Sequence, residues 1–570
     1  MASFISLKTK DSGQNLIIAS MVKNKYFYIS LLMNTTEDHK NHIGTDCSTF
    51  FQRLRKEKEI RFIMDHSNNY GNQASCIHII KRIISLIDSE IAVNLVYTGG
   101  EKTVEKLKLF LKGFSSPSET LRIGKSTVHF LEWKEGKDEL FEEECLYGFT
   151  GGFDSSRQDL TKVLNVRYFL HLSLQGWLVQ EKIDIKDGET CFLSGENGID
   201  PHLIDRAYYY ENPEITDDKW MCYKEHGTET EKQRVSQTQC LLDFLKKEKW
   251  ELCPSFSIRL RGGQISIEPE EILTNLIASV LHAQETKDKP LNKTVILLLE
   301  HERNMSKDCL NKVQEFVAGI PCMESFFQII ERQMLHAIKG KSNPSGNEAL
   351  LVNDLKRRVK RVQSFYKKLP AISAYLETLS DGGKRVHYLS GEDIRHNENL
   401  RKELRKFQED PHARVLLFSL YNVPPEIFHY IYSQATLPSV FEGQTTASQI
   451  LNIGKPYFQL NRMALFDEDE LFKAVRYPTQ FLPEKYEKTA KECREISNHL
   501  HNAFAEEDYK KSIHKISDFT VKTKMPNSHF NEYFEAAKGV YGDPLNDKLL
   551  LGCMHLAKIS GLTNSEYKGF

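Results

Sequence analysis

The sequence predicts an α/β protein with two facing, doubly wound parallel sheets, helical insertions and a helical C-terminus. Short apolar, β-branched segments alternate with longer segments of helical periodicity in two separate runs along the chain. Such alternation is typical of parallel sheets, because consecutive parallel strands need a crossover connection. The residues after Pro483 have a polar, helical pattern without a strand signal. We therefore expect two Rossmann-like domains followed by a helical region.

The first run begins near residue 60. The segments that read as strands are Ile60–His66, Ile91–Thr98, Thr127–Trp133, Val166–Leu170 and Phe256–Leu260. The segments with a helical pattern are Ala74–Ile87, Val104–Gly113 and Pro269–Ala283. Residues 177–250 are irregular and rich in charged and aromatic side chains, which indicates an elaboration on this domain. The predicted first domain is 1–285.

The second run is the more regular of the two. Its predicted strands are Thr294–Glu300, Arg385–Leu389, Arg414–Leu420, Pro438–Glu442 and Pro456–Leu460. Its predicted helices are Asp393–Gln408, Pro424–Gln434 and Thr445–Ile453. A helical insertion at about 342–380 interrupts the alternation. We expect residues 286–483 to form the second domain and residues 484–570 a C-terminal helical region that packs back across the first domain.

Composition excludes several classes of protein. The 570 residues include 76 Lys and Arg against 78 Asp and Glu, so the net charge of −2 gives no reason to expect a nucleic-acid partner. Eleven scattered cysteines without a CxxC pair argue against a disulfide framework or a zinc ribbon and for a reducing compartment.

The compartment can also be predicted from what the chain lacks. No apolar segment approaches the length of a spanning helix, and the N-terminal segment has no secretory pattern. We expect a soluble, cytoplasmic protein. The Lys/Asn-rich and aromatic composition would also fit a bacterial effector that is delivered into a host cell.

The strongest local signal follows the predicted strand Pro438–Glu442. Gly443 permits a sharp turn, Thr445 or Thr446 can cap the next helix, and Gly454 can end it. The free N–H groups at the start of such a helix can hold a diphosphate, assisted by the two hydroxyls. An ordinary strand–turn–helix with a threonine cap is the alternative interpretation.

A second signal follows the first predicted strand, in the segment from Asp65 to Ser75. In doubly wound sheets this first crossover turn commonly faces the ligand. Its polar residues include Asp65, His66, Asn68 and Asn72, of which the histidine could accept a proton at neutral pH. The alternative is that these side chains only make turn and cap hydrogen bonds.

Together the two segments resemble bacterial GT-B glycosyltransferases, most closely the protein-arginine rhamnosyltransferases. That family has an Asp-Asn-Tyr-Gly-Asp turn after its first strand, which reads Asn68–Asn72 here. It also has an Arg-Gly-Glu-Asp-Ser turn before a helix that ends in Ala-Gly-Lys-Pro-Phe. The corresponding segments here are Glu442–Thr446 and Ile453–Tyr457. Phe428 matches the family's aromatic residue that stacks on the nucleobase.

The resemblance implies a transferase without a cofactor or metal that uses a nucleotide-diphosphate sugar as its co-substrate. The acceptor would be a protein or a glycan. The donor would bind in the cleft between the domains, at Phe428, Glu442, Gly443, Gln444, Thr445 and Thr446. The first turn would place Asn68, Tyr70, Gly71 and Asn72 on the other side of that cleft.

The catalytic base departs from the family pattern. The two family acids of the first turn are Asn68 and Asn72 here, and an amide is not a base. His66 is therefore the first candidate and Asp65 the second. Neighbouring side chains alternate along an extended strand, which predicts that at most one of the two faces the cleft. A retaining reaction needs no enzymic base in many GT-B schemes, and the sequence leaves inversion and retention open.

Two other functions fit the same segments. A GT-B scaffold without the family acids can serve as a non-catalytic interaction protein, and nucleotide-sugar epimerases share the fold. The basic stretch Lys356–Lys368 lies on a helix with an apolar stripe, which could contact an anionic membrane. Such a pattern more often marks the solvated face of a core helix.

Overall fold

A computed structural model provides the coordinates of the chain. The residues that it describes are 3–8, 15–20, 48–66, 71–134, 140–151, 163–172, 177–184, 190–197, 220–221, 224–225, 227–256, 268–285, 291–299, 307–320, 335, 347–394, 396–421, 423–441, 443–460, 477–479, 482–502, 508–543 and 547–562. The chain divides into two compact units. The first comprises Met1–Tyr210, Pro478–Leu482 and Gly539–Phe570, and the second comprises Glu211–Tyr477 and Pro483–Lys538.

The strands are numbered in chain order. They are β1 (Ser3–Lys8), β2 (Asn15–Ser20), β3 (Glu59–Met64), β4 (Ala92–Tyr97), β5 (Leu121–Ile123), β6 (Ser126–Glu132), β7 (Cys145–Gly151), β8 (Val166–Leu172), β9 (Trp177–Asp184), β10 (Thr190–Asn197), β11 (Glu251–Phe256), β12 (Thr294–Leu298), β13 (Val386–Ser390), β14 (Val415–Ser419), β15 (Ser439–Phe441) and β16 (Tyr457–Gln459).

The helices are numbered in the same way. They are α1 (Gly71–Ile87), α2 (Glu101–Phe110), α3 (Glu229–Glu248), α4 (Glu268–Glu285), α5 (Lys307–Val317), α6 (Asn347–Ser380), α7 (Asn397–Glu409), α8 (Pro425–Ser433), α9 (Gln444–Ile453), α10 (Glu487–Asn502), α11 (Tyr509–Lys522), α12 (His529–Tyr541) and α13 (Lys548–Ile559). Most of the predicted strands and helices are confirmed to within a few residues.

The first unit is built on an eight-stranded sheet in the order β10-β9-β8-β7-β3-β4-β6-β5. Strands β3, β4, β6, β7 and β8 pair in parallel, and β9, β10 and β5 add antiparallel edges. The chain therefore runs outward from β3 to β6, returns to the other side of β3 and continues to β8. This is the strand order of a doubly wound, Rossmann-like sheet, which changes direction between β3 and β7.

The second unit contains a six-stranded parallel sheet in the order β13-β14-β12-β11-β15-β16. Strand β11 is central, with β12 on one side and β15 on the other. The chain fills the β12 side first and then crosses to β15, so this sheet changes direction between β11 and β15. The fold class predicted from the sequence, α/β with two parallel-dominated sheets, is confirmed.

The predicted domain boundary near residue 285 lies elsewhere in the structure. The second unit begins at Glu211, so α3, β11 and α4 belong to it rather than to a first domain 1–285. The central strand β11 contains Pro254, and proline is rare in central strands because it cannot donate to the ladder. The strand predicted at Phe256–Leu260 begins at the last residue of β11, and its residues 257–260 lie outside the described residues.

The C-terminal helices also divide between the units. Residues 484–570 were predicted as one helical region that packs back across the first domain. This holds for α13, which belongs to the first unit, whereas α10 and α11 belong to the second. In the first unit, α13 lies against β8 so closely that a Cβ on Gly552 would come within 2.8 Å of Leu170 Cδ1. Its apolar face, including Leu549 and Leu556, completes the core formed by β3, β4 and α1.

The basic helix predicted near residues 342–380 is α6. Among its described side chains, Lys356, Lys360 and Lys367 are exposed, while Val359 and Leu369 are buried. This burial pattern is that of a solvated basic face on a helix that packs through its apolar stripe. Among the described residues, no helix combines the length and apolarity needed to cross a membrane.

Two histidines meet where α4 packs against α11 in the second unit. The rings of His282 and His514 lie 4.0 Å apart, centroid to centroid, and His282 Nδ1 is 3.1 Å from Ser517 Oγ. Burial, and then the neighbouring His514, lower the pKa of His282 below its ordinary value of 6.5. The folded unit therefore binds fewer protons than the unfolded chain as the pH falls below that value.

We expect the second unit to lose stability as the pH falls below about 6.5, because His282 must then charge in a buried site. Substituting His282→Gln should flatten this part of the stability curve, measured by urea unfolding between pH 7.5 and 5.5. The exposed His396 provides the matched control, since His396→Gln should keep the slope of the parent. Equal slopes in all three proteins would contradict the assignment.

Candidate functional site

The first candidate site lies where β3 and β4 end, at the carboxyl edge of the first sheet. Strand β3 ends at Met64 and β4 at Tyr97, and helix α2 begins directly after the turn Thr98-Gly99-Gly100. Ligands of doubly wound sheets bind beyond this edge, because loops and helix N-termini converge there. Both predicted base candidates, Asp65 and His66, lie in this position.

Hydrogen bonds attach both residues to the turn after β4. The His66 amide donates to Thr98 Oγ1 at 2.7 Å, and Thr98 Oγ1 donates to Asp65 Oδ1 at 2.9 Å. The His66 ring places Nδ1 3.2 Å from Thr103 Oγ1. From α1, buried Gln73 donates to the Asp65 carbonyl at 2.7 Å. Because β3 ends at Met64, the strand alternation that would let only one of the two side chains face the cleft does not extend to these residues.

Gly99 is required where the His66 ring lies against the turn. It has a φ of +86°, which favours glycine, and a Cβ at this position would come within 2.4 Å of both Cβ and Cγ of His66. Gly100 follows with a φ of 56° and is the N-cap of α2, without a side-chain cap. The two glycines thus let the imidazole pack directly on the backbone at the start of a helix.

The surroundings of His66 disfavour the imidazolium. Burial lowers the pKa of His66, and the positive charges of Lys106 and Lys102 on α2 lower it further, against a smaller opposing effect of Asp65. The N-terminus of α2 acts in the same direction, since its dipole is unfavourable to a nearby cation. His66 is therefore a neutral imidazole at neutral pH, the form that can accept a proton.

The rest of the predicted first turn gives less information. Asn68 and Tyr70 lie outside the described residues. Gly71 and Asn72 form the first turn of α1, and the side chain of Asn72 lies outside the described residues. Sequence reasoning missed Thr98, whose hydroxyl accepts the His66 backbone amide, and Thr103, whose hydroxyl contacts the ring. The available signal was the Thr-Gly-Gly sequence directly after an apolar strand, a pattern that marks a glycine turn at the ligand edge.

The second candidate site lies at the carboxyl edge of the second sheet, where the strand order changes direction. Phe256 and Phe441, the last residues of β11 and β15, pair in register. Helix α9 begins immediately after β15, with Gly443 as its N-cap. The predicted strand–turn–helix is confirmed, and it starts at the position where ligands of open α/β sheets bind.

The start of α9 has polar groups without protein partners. Gly443 provides no side-chain cap, and the first intrahelical bond is the one that Ala447 N donates to the Gly443 carbonyl at 3.1 Å. The N–H groups of the three residues between them therefore have no acceptor within the helix. Thr446, in the first turn of the helix, is only 7% exposed. Its Oγ1 lies 3.8 Å from the position that a Cβ on Gly443 would take.

The other predicted donor residues are described in part. Phe428 lies on α8, half-buried, with its ring 4.7 Å from that of buried Tyr432, so part of its surface stays open. Glu442 lies outside the described residues, as do the side chains of Gln444 and Thr445. The ring of Tyr432 also contacts the ring of buried Phe441, so Phe428 packs against a rigid aromatic core.

Two further features were considered as sites. A groove of about 510 Å³ lies between α10 and α11. Four lysines and three carboxylates line it, so its net charge is close to zero and it does not select an ion of either sign. Within the described ranges, no group of three or more His, Cys, Asp or Glu side chains is placed to hold a metal ion.

The chain was compared with models of protein families and with curated proteins, and it matches none of either.

Proposed function

We propose that the protein is a glycosyltransferase that moves a sugar from a nucleotide-diphosphate donor to a protein or glycan acceptor. The observation that carries the proposal is the start of α9. A helix with free N–H groups, and with the threonine Thr446 in its first turn, begins where the second sheet changes direction. These groups are suited to a diphosphate, which offers several anionic acceptor oxygens.

The proposed chemistry needs stabilisation of the leaving diphosphate. Negative charge develops on it as the bond to the sugar breaks, and the N-terminus of α9 presents positive potential to an anion at its start. The open surface of Phe428 is suited to stacking with the nucleobase, as the resemblance to GT-B enzymes implies. The neutral His66 in the first unit has the protonation state that a general base requires.

Nucleotide binding tests the proposal first. The full-length protein is titrated with UDP, GDP, dTDP and ADP, and its thermal unfolding is followed at each concentration. A nucleotide that binds the folded state raises the unfolding temperature by mass action. We expect one of the four nucleotides to stabilise the protein. We also expect the protein to release that free nucleotide when it turns over the corresponding nucleotide sugar. If no nucleotide stabilises the protein, the glycosyltransferase proposal fails and a non-catalytic interaction protein is the better hypothesis.

Thr446→Val tests the position of the donor. Valine keeps the shape of threonine and removes the hydroxyl, so the loss of a hydrogen bond to a charged oxygen should weaken nucleotide binding by about 1.5–3 kcal/mol. This corresponds to a dissociation constant raised about 10- to 150-fold, measured by isothermal titration calorimetry. Thr445→Ala combined with Thr446→Ala should weaken binding by a similar 1–3 kcal/mol.

Thr520→Val is the control for this substitution. Thr520 is also a buried helical threonine of the second unit, but its hydroxyl donates to the Ile516 carbonyl. The control should bind nucleotide as the parent does. Unchanged affinity in Thr446→Val would place the diphosphate elsewhere.

A further inference from the structure

The hydroxyl of Thr103 determines how the His66 ring is hydrogen-bonded. Thr103 Oγ1 lies 2.6 Å from the Thr98 carbonyl oxygen, to which it donates. A hydroxyl has a single hydrogen, so Thr103 has none left for the ring and can only accept from His66 Nδ1 at 3.2 Å. Nδ1 must therefore carry the ring proton in the neutral imidazole.

The hydroxyl of Thr98 also donates one hydrogen bond and accepts another. Thr98 Oγ1 donates to Asp65 Oδ1 and accepts the backbone amide of His66. The Thr98 hydroxyl thus fixes the backbone of His66, while the Thr103 hydroxyl fixes its ring. Both threonines are buried, with Thr103 fully inaccessible and Thr98 8% exposed. If Thr103 instead donated its hydrogen to His66 Nδ1, it would lose its hydrogen bond to the Thr98 carbonyl. Breaking a buried hydrogen bond is costly.

We propose that Thr103 is a positioning residue that holds His66 in the Nδ1–H tautomer, so that Nε2 is the atom that accepts a proton. The catalytic part of this inference rests on the proposed function. In the transfer, the acceptor's O–H or N–H proton moves to Nε2 as the acceptor atom bonds to the sugar carbon. The bond from that carbon to the diphosphate breaks, the nucleoside diphosphate leaves with the electron pair, and the imidazolium later releases its proton to water.

The groups around the ring are consistent with this assignment. Lys102 and Lys106 on α2 and the start of that helix are positive, while Asp65 faces from the β3 side. Thr98 Oγ1 donates to the Asp65 carboxylate, so the hydrogen bond that reaches Nδ1 comes from Thr103 and not from an acid. This differs from an Asp–His pair, in which the carboxylate itself would accept from Nδ1 and raise the basicity of the ring.

Nitrogen NMR of the full-length protein tests the tautomer directly. The chain is labelled with ¹⁵N-histidine, and His66→Gln identifies the His66 signals by their loss. At neutral pH we expect Nδ1 at the shift of a protonated ring nitrogen and Nε2 at that of an unprotonated one. Thr103→Val removes the acceptor and should move the ring toward the Nε2–H tautomer, while Thr103→Ser should restore the parent spectrum.

The readouts separate this inference from the function. Unchanged signals of the other histidines show that Thr103→Val still folds. An Nε2–H tautomer in the parent, or a His66 spectrum that Thr103→Val does not alter, would overturn the role of Thr103. If the tautomer is as expected but no nucleotide binds, the positioning by Thr103 stands and the proposed function fails. If nucleotide sugar is turned over, Thr103→Val should lower kcat more than it changes KM, with recovery in Thr103→Ser.

Discussion

Substituting Asp547→Ala is expected to lower the free energy of unfolding of the first unit by about 3–5 kcal/mol. The carboxylate of Asp547 is fully buried, and its Oδ2 lies 2.7 Å from Arg82 Nε on α1. Its Oδ1 also accepts the Leu549 amide at 3.1 Å and so caps α13. Alanine removes the cap and leaves the largely buried Arg82 guanidinium without its carboxylate, which is the costly way to break a buried ion pair.

Asp508 provides a matched control for this loss. It is also an aspartate N-cap and accepts the Lys511 amide at 3.1 Å, but it is exposed and no carboxylate–cation pair is found for it among the described residues. Asp508→Ala should therefore cost only about 1 kcal/mol, the usual cost of losing a cap. Native-state hydrogen exchange measures both, because it resolves the opening of each unit. Equal costs for the two substitutions would show that the ion pair contributes nothing.

Arg82 completes the comparison. Replacing Arg82→Leu together with Asp547→Ala removes both members of the ion pair, so the double variant should be less destabilised than the sum of the single variants. A simple sum would mean that Asp547 acts only as a cap. The same experiment tests the inclusion of α13 in the first unit. If α13 packs there, Asp547→Ala should accelerate hydrogen exchange in α1 and β8.

The second sheet could be predicted from sequence because its signals agree at every level. The strand before Gly443 ends in the apolar residues Val440 and Phe441, the glycine turn opens the helix, and Gly454 ends α9 in the left-handed conformation. Local propensity and tertiary position point to the same structure there. The sequence could not show that Thr446 is buried, since that depends on packing around the start of the helix.

The predictions that failed each depended on contacts between distant segments. The sequence pattern did not predict the central strand β11, which contains Pro254. Its parallel partners come from residues 294–298 and 439–441. The predicted packing of the C-terminal helices on the first domain holds for α13 but fails for α10 and α11, which belong to the second unit, and nothing in their local pattern encodes that. The hydrogen bonds of His66 likewise join residues 32 to 37 positions apart. Periodicity identifies elements, but it does not identify which elements meet.

Substituting His66→Ala is expected to lower turnover of the nucleotide sugar about 10²- to 10⁴-fold, the usual contribution of a general base. The affinity for the nucleoside diphosphate should stay nearly unchanged, because the donor groups at Gly443 and Thr446 are untouched. In the parent, burial and two lysines lower the pKa of His66 below its ordinary value of 6.5. The base is therefore active above that value, and turnover should fall only as the pH drops below it.

Two further variants decide how this result is read. His129→Ala removes a histidine from β6 of the same sheet and should keep the activity of the parent. Asp65→Asn keeps an acceptor for the Thr98 hydroxyl and removes the charge, so it should reduce turnover less than His66→Ala. Full activity in both His66→Ala and Asp65→Asn would exclude a base at this edge. The transfer would then proceed with retention, in which the leaving phosphate can take the proton, or with a base from residues 177–250.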